Sequence, residues 1–120
     1  MFGKFKKTHL SELVKLSGVY IGPGIEAEGE IKTEEDVFVD AKFKGNISSN
    51  GVIELGKNSS FIGGLEARSL IVEGFAKSDA KSMDSILFVG CCEFTGNAQS
   101  RNITVEKGAV INAKLVTEKN

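Results

Sequence analysis

Ile25-Glu26-Ala27-Glu28-Gly29-Glu30-Ile31-Lys32-Thr33 alternates apolar or small residues with polar ones, passes through a central glycine and closes on a hydroxyl. The phrase returns as Ala41-Lys42-Phe43-Lys44-Gly45-Asn46-Ile47-Ser48-Ser49 and as Ser59-Ser60-Phe61-Ile62-Gly63-Gly64-Leu65-Glu66-Ala67. Weaker copies centre on Ser78, Gly96 and Ala113, so that successive centres lie 16, 18, 15, 18 and 17 residues apart. Self-similarity at such a period marks a repeat architecture, in which each unit buries its apolar face only against its neighbours.

Aligning the copies on their centres turns the sequence into columns. Two residues after the centre stand Ile31, Ile47, Leu65, Ala80, Ala98 and Leu115; two before it stand Ala27, Phe43, Phe61, Ala76, Phe94 and Ile111. Four before it the column reads Ile25, Ala41, Ser59, Gly74, Cys92 and Ala109. Residues two apart on a strand share a face, so these columns point inward. A second strand per repeat comes from Ile21, Val37/Val39, Ile53/Leu55, Leu70/Val72, Ile86/Phe88 and Ile103/Val105. Each repeat thus forms one coil, neighbouring coils pair in parallel, and six coils at a strand spacing of ~4.8 Å make a rod roughly 29 Å long. The column four after the centre is Thr33, Ser49, Ala67, Ser82, Ser100 and Thr117, a hydroxyl ladder read as corner chemistry. Outside, Glu26 falls beside Lys42 and Glu28 beside Lys44, whereas the last coil turns Val110 and Val116 outward.

Composition agrees with this reading. The 120 residues are 41% apolar and 26% charged, which fits one folded domain, and fourteen glycines with one proline suit many tightly turned strands. No apolar run reaches the ~20 residues that span a bilayer, and the start lacks the apolar stretch of a secretory signal, so a cytoplasmic location is expected. The net charge of −1 hides an asymmetry: Lys4, Lys6 and Lys7 give the first seven residues +3, leaving 12 basic against 16 acidic residues in the rest. An acidic body without a basic stripe argues against nucleic acid.

The ends of a solenoid expose strand edges above an open core, which soluble repeat proteins cover with polar caps. After Leu115 the sequence offers only Val116, Thr117, Glu118, Lys119 and Asn120, so the last coil reads as bare. At the other end Leu10, Leu13, Val14 and Leu16 have helical spacing after a Thr8 N-cap and suit a lid over the first coil. Bare ends invite end-to-end stacking. The expected polymer contacts are Val19, Ile21, Ile25 and Ala27 on the first coil and Ile103, Val105, Ile111 and Leu115 on the last.

The phrases Ile-x-Ala-x-Gly-x-Ile, Phe-x-Gly-x-Ile and Ile-x-Val-x-Lys-Gly-Ala, behind a short tail, resemble the bactofilins over residues 19 to 117. That resemblance implies an all-β, single-domain, right-handed parallel β-helix of three sides. It implies a bacterial cytoskeletal scaffold that forms non-polar filaments through its ends without nucleotide, often on the cytoplasmic membrane, where it positions cell-wall or morphogenesis proteins. The tail is similar to the short membrane-targeting segments of some bactofilins. Its residues support that independently: Met1, Phe2 and Phe5 suit the lipid interface, while Lys4, Lys6 and Lys7 suit anionic headgroups at ~1 kcal/mol each. The expected organisation is therefore a tail at 1–18, a β-helix at 19–117 and three closing residues at 118–120.

Enzymatic alternatives fit less well. A hexapeptide-repeat acyltransferase needs an apolar residue every six positions and a histidine base, but the spacing here is mostly two and His9 lies outside every repeat. Other β-helix enzymes need carboxylate pairs in grooves built by long loops, for which repeats of 15 to 18 residues leave no room. Cys91-Cys92 with one distant histidine makes no recognisable zinc set, and Cys92 falls in an inward column as a small core residue. Asp79 and Asp84 beside Lys77 and Lys81 read as solvated corners. Hence no catalytic residue, cofactor or metal is expected. The principal alternative is a non-polymerising β-helix module in which the Leu10–Leu16 segment caps one end and the faces bind a partner enzyme; the outward apolar Ile62 and Phe75 suit lateral filament contacts or a partner surface.

Overall fold

The structure, a computed structural model, describes residues 18–117. Those residues form ten strands: β1 Val19–Ile21, β2 Glu26–Thr33, β3 Val37–Val39, β4 Lys42–Ser49, β5 Val52–Leu55, β6 Ser60–Val72, β7 Phe75–Phe88, β8 Glu93–Ser100, β9 Asn102–Val105 and β10 Val110–Thr117. Every pairing is parallel, and together they wind a β-helix of six coils.

The ladder follows the repeat centres. Gly29, Gly45, Gly63, Ser78, Gly96 and Ala113 are successive register partners, and so are Ile31, Ile47, Leu65, Ala80, Ala98 and Leu115. The shorter strand of each coil stacks likewise, from Ile21 through Val39, Leu55, Val72 and Phe88 to Val105. Because adjacent coils place like residues in register, Phe43 stacks on Phe61 with ring centroids 5.6 Å apart, while Phe88 and Phe94 pack tilted within one coil at 5.0 Å. These side chains and the aliphatic ladders form one continuous core. Each fully buried aliphatic or phenylalanine stabilises by roughly 1.5–3 kcal/mol relative to exposure.

Interior volume is not shared equally among coils. The fourth coil contributes Gly74, Ala76, Ser78 and Ala80, where its neighbours supply Phe61 and Leu65 on one side and Phe94 on the other. Its repeat is the shortest of the six, and its inward side chains are the smallest.

Two kinds of corner close each coil. Glycine at the repeat centre takes φ of 141° at Gly45 and 138° at Gly63, a region closed to L side chains, and a Cβ at Gly63 would strike the carbonyl oxygen of Gly45. The centre is therefore where the long strand changes direction. Ser78 and Ala113 hold the same column without positive φ. At the other corners the hydroxyl ladder works locally: Glu35 N donates to Thr33 Oγ1 at 3.1 Å, Gly51 N to Ser49 Oγ at 2.9 Å, and Ser82 Oγ lies 2.7 Å from the Arg68 carbonyl oxygen. Ser100 departs from the pattern, since its buried hydroxyl has no partner among the described residues. Carboxylates brace neighbouring corners, with Val52 N donating to Asp36 Oδ1 at 2.9 Å and Asn58 N to Asp40 Oδ1 at 2.8 Å. One corner is enlarged: Met83-Asp84 replaces the single Arg68, which shifts the ladder and leaves Met83 74% exposed.

Candidate functional site

The two terminal coils carry the groups of interest. In a stack of parallel coils every inner strand has neighbours on both sides, but an end strand has one. Among the described residues β9 pairs with β7 alone, β10 with β8, β1 with β3 and β2 with β4. The free edges of β9 and β10 therefore lie together at one end of the rod, those of β1 and β2 at the other.

At the last coil the inward columns run out of cover. Val105 is 44% exposed and Leu115 40%, although their partners one coil earlier, Phe88 and Ala98, are buried. Ile103, Ala109, Ile111 and Ala113 pack against the core and stay partly open. Outside them Val110 is 57% exposed and Val116 40%. The four expected contact residues of this coil thus come together on one surface, and Val110 and Val116 extend it. Their outward placement was readable from the columns, but the expected contact set omitted them because it followed inward positions alone.

The first coil is different. Ile21 and Ile31 are buried, and Val19, Ile25 and Ala27 are half-buried. Ile21 therefore underlies that end rather than presenting surface. Around it the outward positions of β2 are Glu26, Glu28 and Glu30, which register against Lys42, Lys44 and Asn46 of β4. The proposed membrane residues Met1, Phe2, Lys4, Phe5, Lys6 and Lys7, and the Leu10–Leu16 segment, lie outside the described residues.

The sides of the rod hold scattered features. Tyr20 stacks on Phe38 at 5.3 Å and 5°, a contact between adjacent coils that sequence reading missed because alternation marks both as outward. Ile62 and Phe75 are exposed, as their columns indicate. Over Gly64, where the outward ladder lacks a side chain, a shallow cleft is lined by Glu30, Glu66 and Asp79 alternating with Lys32 and Lys81. Asp79 accepts from Asn97 Nδ2 at 2.9 Å, which makes it a rung of the ladder. Cys91 is exposed and Cys92 buried, both as free thiols. Burial pushes the Cys92 thiol up, against a backbone hydrogen bond, and nearby Cys91 and Glu106 push the same way. Among the described residues no group of three or more His, Cys, Asp or Glu side chains could hold a metal ion.

Comparison with known proteins matches this geometry. The model of a family described as Bactofilin, polymer-forming cytoskeletal, matches residues 19–116. The chain is similar to the Thermus thermophilus bactofilin in a cryo-EM reconstruction of double helical filaments, with 26% identity and a TM-score of 0.75, covering 82% of this chain and 98% of that one. It is also similar to a crystal structure of a point mutant of the Thermus thermophilus bactofilin, with 25% identity and a TM-score of 0.68 over 72% of this chain and 97% of that one. No curated protein matches the sequence.

Proposed function

The chain belongs to the bactofilin family of polymer-forming cytoskeletal proteins, and from that premise we propose that it is a bacterial scaffold whose rods join end to end, without nucleotide, into non-polar filaments. The observation that carries the reading is the last coil, where Val105, Val110, Leu115 and Val116 expose apolar surface beside unpaired strand edges. Strand pairing and apolar burial supply the driving force, so no hydrolysis is needed to hold a joint. The ladders contribute stiffness and chemistry is absent from the role: the protein acts as a support rather than an enzyme.

The filament lies at the inner face of the cytoplasmic membrane. One tail binds weakly, but a polymer presents many copies of Phe2, Phe5, Lys4, Lys6 and Lys7, and avidity converts weak contacts into attachment. On that surface it positions cell-wall or morphogenesis proteins.

Negative-stain electron microscopy of the purified chain at about 1 M NaCl, without nucleotide or metal, tests the assembly reading beside Leu115→Arg. Wild-type filaments and short or monomeric variant particles are expected, since a charge cannot be buried at the joint unpaired. Discrete wild-type particles of constant size would replace the polymer by a non-polymerising interaction module.

A further inference from the structure

The two ends of the rod are chemically unlike. Residues 102–117 carry Glu106, Lys107 and Lys114 as their only charges, around an exposed apolar surface. Residues 19–36 carry Glu26, Glu28, Glu30, Glu34, Glu35 and Asp36 against Lys32, over an interior that is already largely closed at Ile21 and Ile31. Within the chain Glu26 and Glu28 register against Lys42 and Lys44. When two first coils meet about a two-fold at Gly29, however, Glu28 of each faces Glu30 of the other and Glu26 faces Lys32, while Lys42 and Lys44 stand one layer further back, about 4.8 Å away.

On the non-polar reading of the filament, the partner of the last coil is a second last coil. Continuing the parallel register from β10 onto the β2 of another copy would set Val110 against Glu26 and Val116 against Lys32, since the ladder aligns 110 with 93, 75, 60, 42 and 26. A two-fold that superposes Ala113 on its copy instead sets Val110 against Val116, and Ile111 against Leu115. Apolar groups then meet apolar groups.

We infer that the two joints of this polymer are unequal: two last coils join by apolar burial at any ionic strength, whereas two first coils are held apart by their glutamates until salt screens them. The inference rests on the end-to-end reading. It makes the two-fold dimer, joined at its last coils, the unit that forms first, and ionic strength the control on elongation. Like charges set opposite one another across strands destabilise, and screening contracts from about 30 Å at 0.01 M salt to about 3 Å at 1 M.

Sedimentation velocity and negative-stain microscopy of the full chain at about 10 mM and 1 M NaCl test this. Wild type is expected as dimers in low salt and as filaments in high salt. Leu115→Arg is expected as monomers in low salt and dimers in high salt. Adding Glu28→Gln and Glu30→Gln to it should give dimers already in low salt, with first-coil affinity raised about tenfold or more. The same two substitutions in wild type should give filaments at low salt, which separates screening from any general effect of salt. Filaments favoured by low salt would point to a first-to-last joint and overturn the inference, as would a Leu115→Arg variant equally associated at both salts. A wild type that stays monomeric throughout would overturn the end-to-end reading itself.

Discussion

Leu115 is the register partner of Ala98, yet Leu115 is 40% exposed while Ala98 is buried at 1%. The two residues occupy the same inward column one coil apart, so position in the coil does not explain the difference. What differs is the neighbour beyond: Ala98 is covered by β10, and β10 has no strand over it among the described residues. Exposure of an inward residue is thus a direct mark of an unfinished stack.

Gly63 should be the least replaceable of the repeat centres. A valine there meets both the forbidden φ and the Gly45 carbonyl, so a loss of about 1–3 kcal/mol from backbone strain alone is expected. Gly24→Ala, at φ 83° with open space around it, should cost less. Thermal unfolding in the Leu115→Arg background in low salt, where association does not contribute, ranks the two. Equal melting temperatures would show that the carbonyl contact is unimportant.

Ser82 and Ser100 stand in one column and should respond oppositely to alanine. Ser82 Oγ is within 2.8 Å of the Ser85 carbonyl as well as near that of Arg68, and losing it should cost about 1 kcal/mol. Ser100→Ala removes a buried hydroxyl that has no partner among the described residues, so stability should be unchanged or higher. Urea unfolding midpoints decide, and an equal loss at both sites would contradict the distinction.

Phe2→Ser with Phe5→Ser should weaken co-sedimentation with anionic liposomes, most visibly in high salt, while filaments persist. Removing two apolar contacts removes interfacial insertion and leaves only the electrostatic attraction, which salt screens. Undiminished co-sedimentation would refute the anchor.

The adjacent cysteines should react as two different thiols. Cys91, exposed, should react rapidly with a thiol reagent near pH 8, and Cys92 only when the fold opens. Its raised native value also has a thermodynamic sign. Both states keep the proton below the unfolded value of ~8.5, so nothing is lost there; above it the unfolded chain ionises first and stability falls. Cys92→Ser should flatten that alkaline decline, and an unchanged pH profile would count against it.

Much of the fold was legible because the period carried the register. Once the centres at 29, 45, 63, 78, 96 and 113 are aligned, every inward column follows, and the strand partners match them residue for residue. The terminal residues were harder to rank. Column membership says that Ile21 and Leu115 both point inward, but not that one is buried and the other open, because that depends on how each end closes. The unpaired Ser100 was equally hidden: its column predicts a hydroxyl at a corner, and whether a carbonyl comes within reach depends on the local path of the chain. Val110 and Val116 were visible as outward apolar residues, but their importance follows only from the open interior beside them.

The small fourth coil has a consequence for length. Since Ala76 stands in register with Phe61 on one side and Phe94 on the other, all three buried, the coils differ in interior volume and are not interchangeable words that could be duplicated or dropped. A lineage could lengthen such a rod only by rewriting two neighbours at once. On the proposed end-to-end assembly, the subunit is therefore a ruler of fixed graduation, and distances along the filament come in whole multiples of the six described turns.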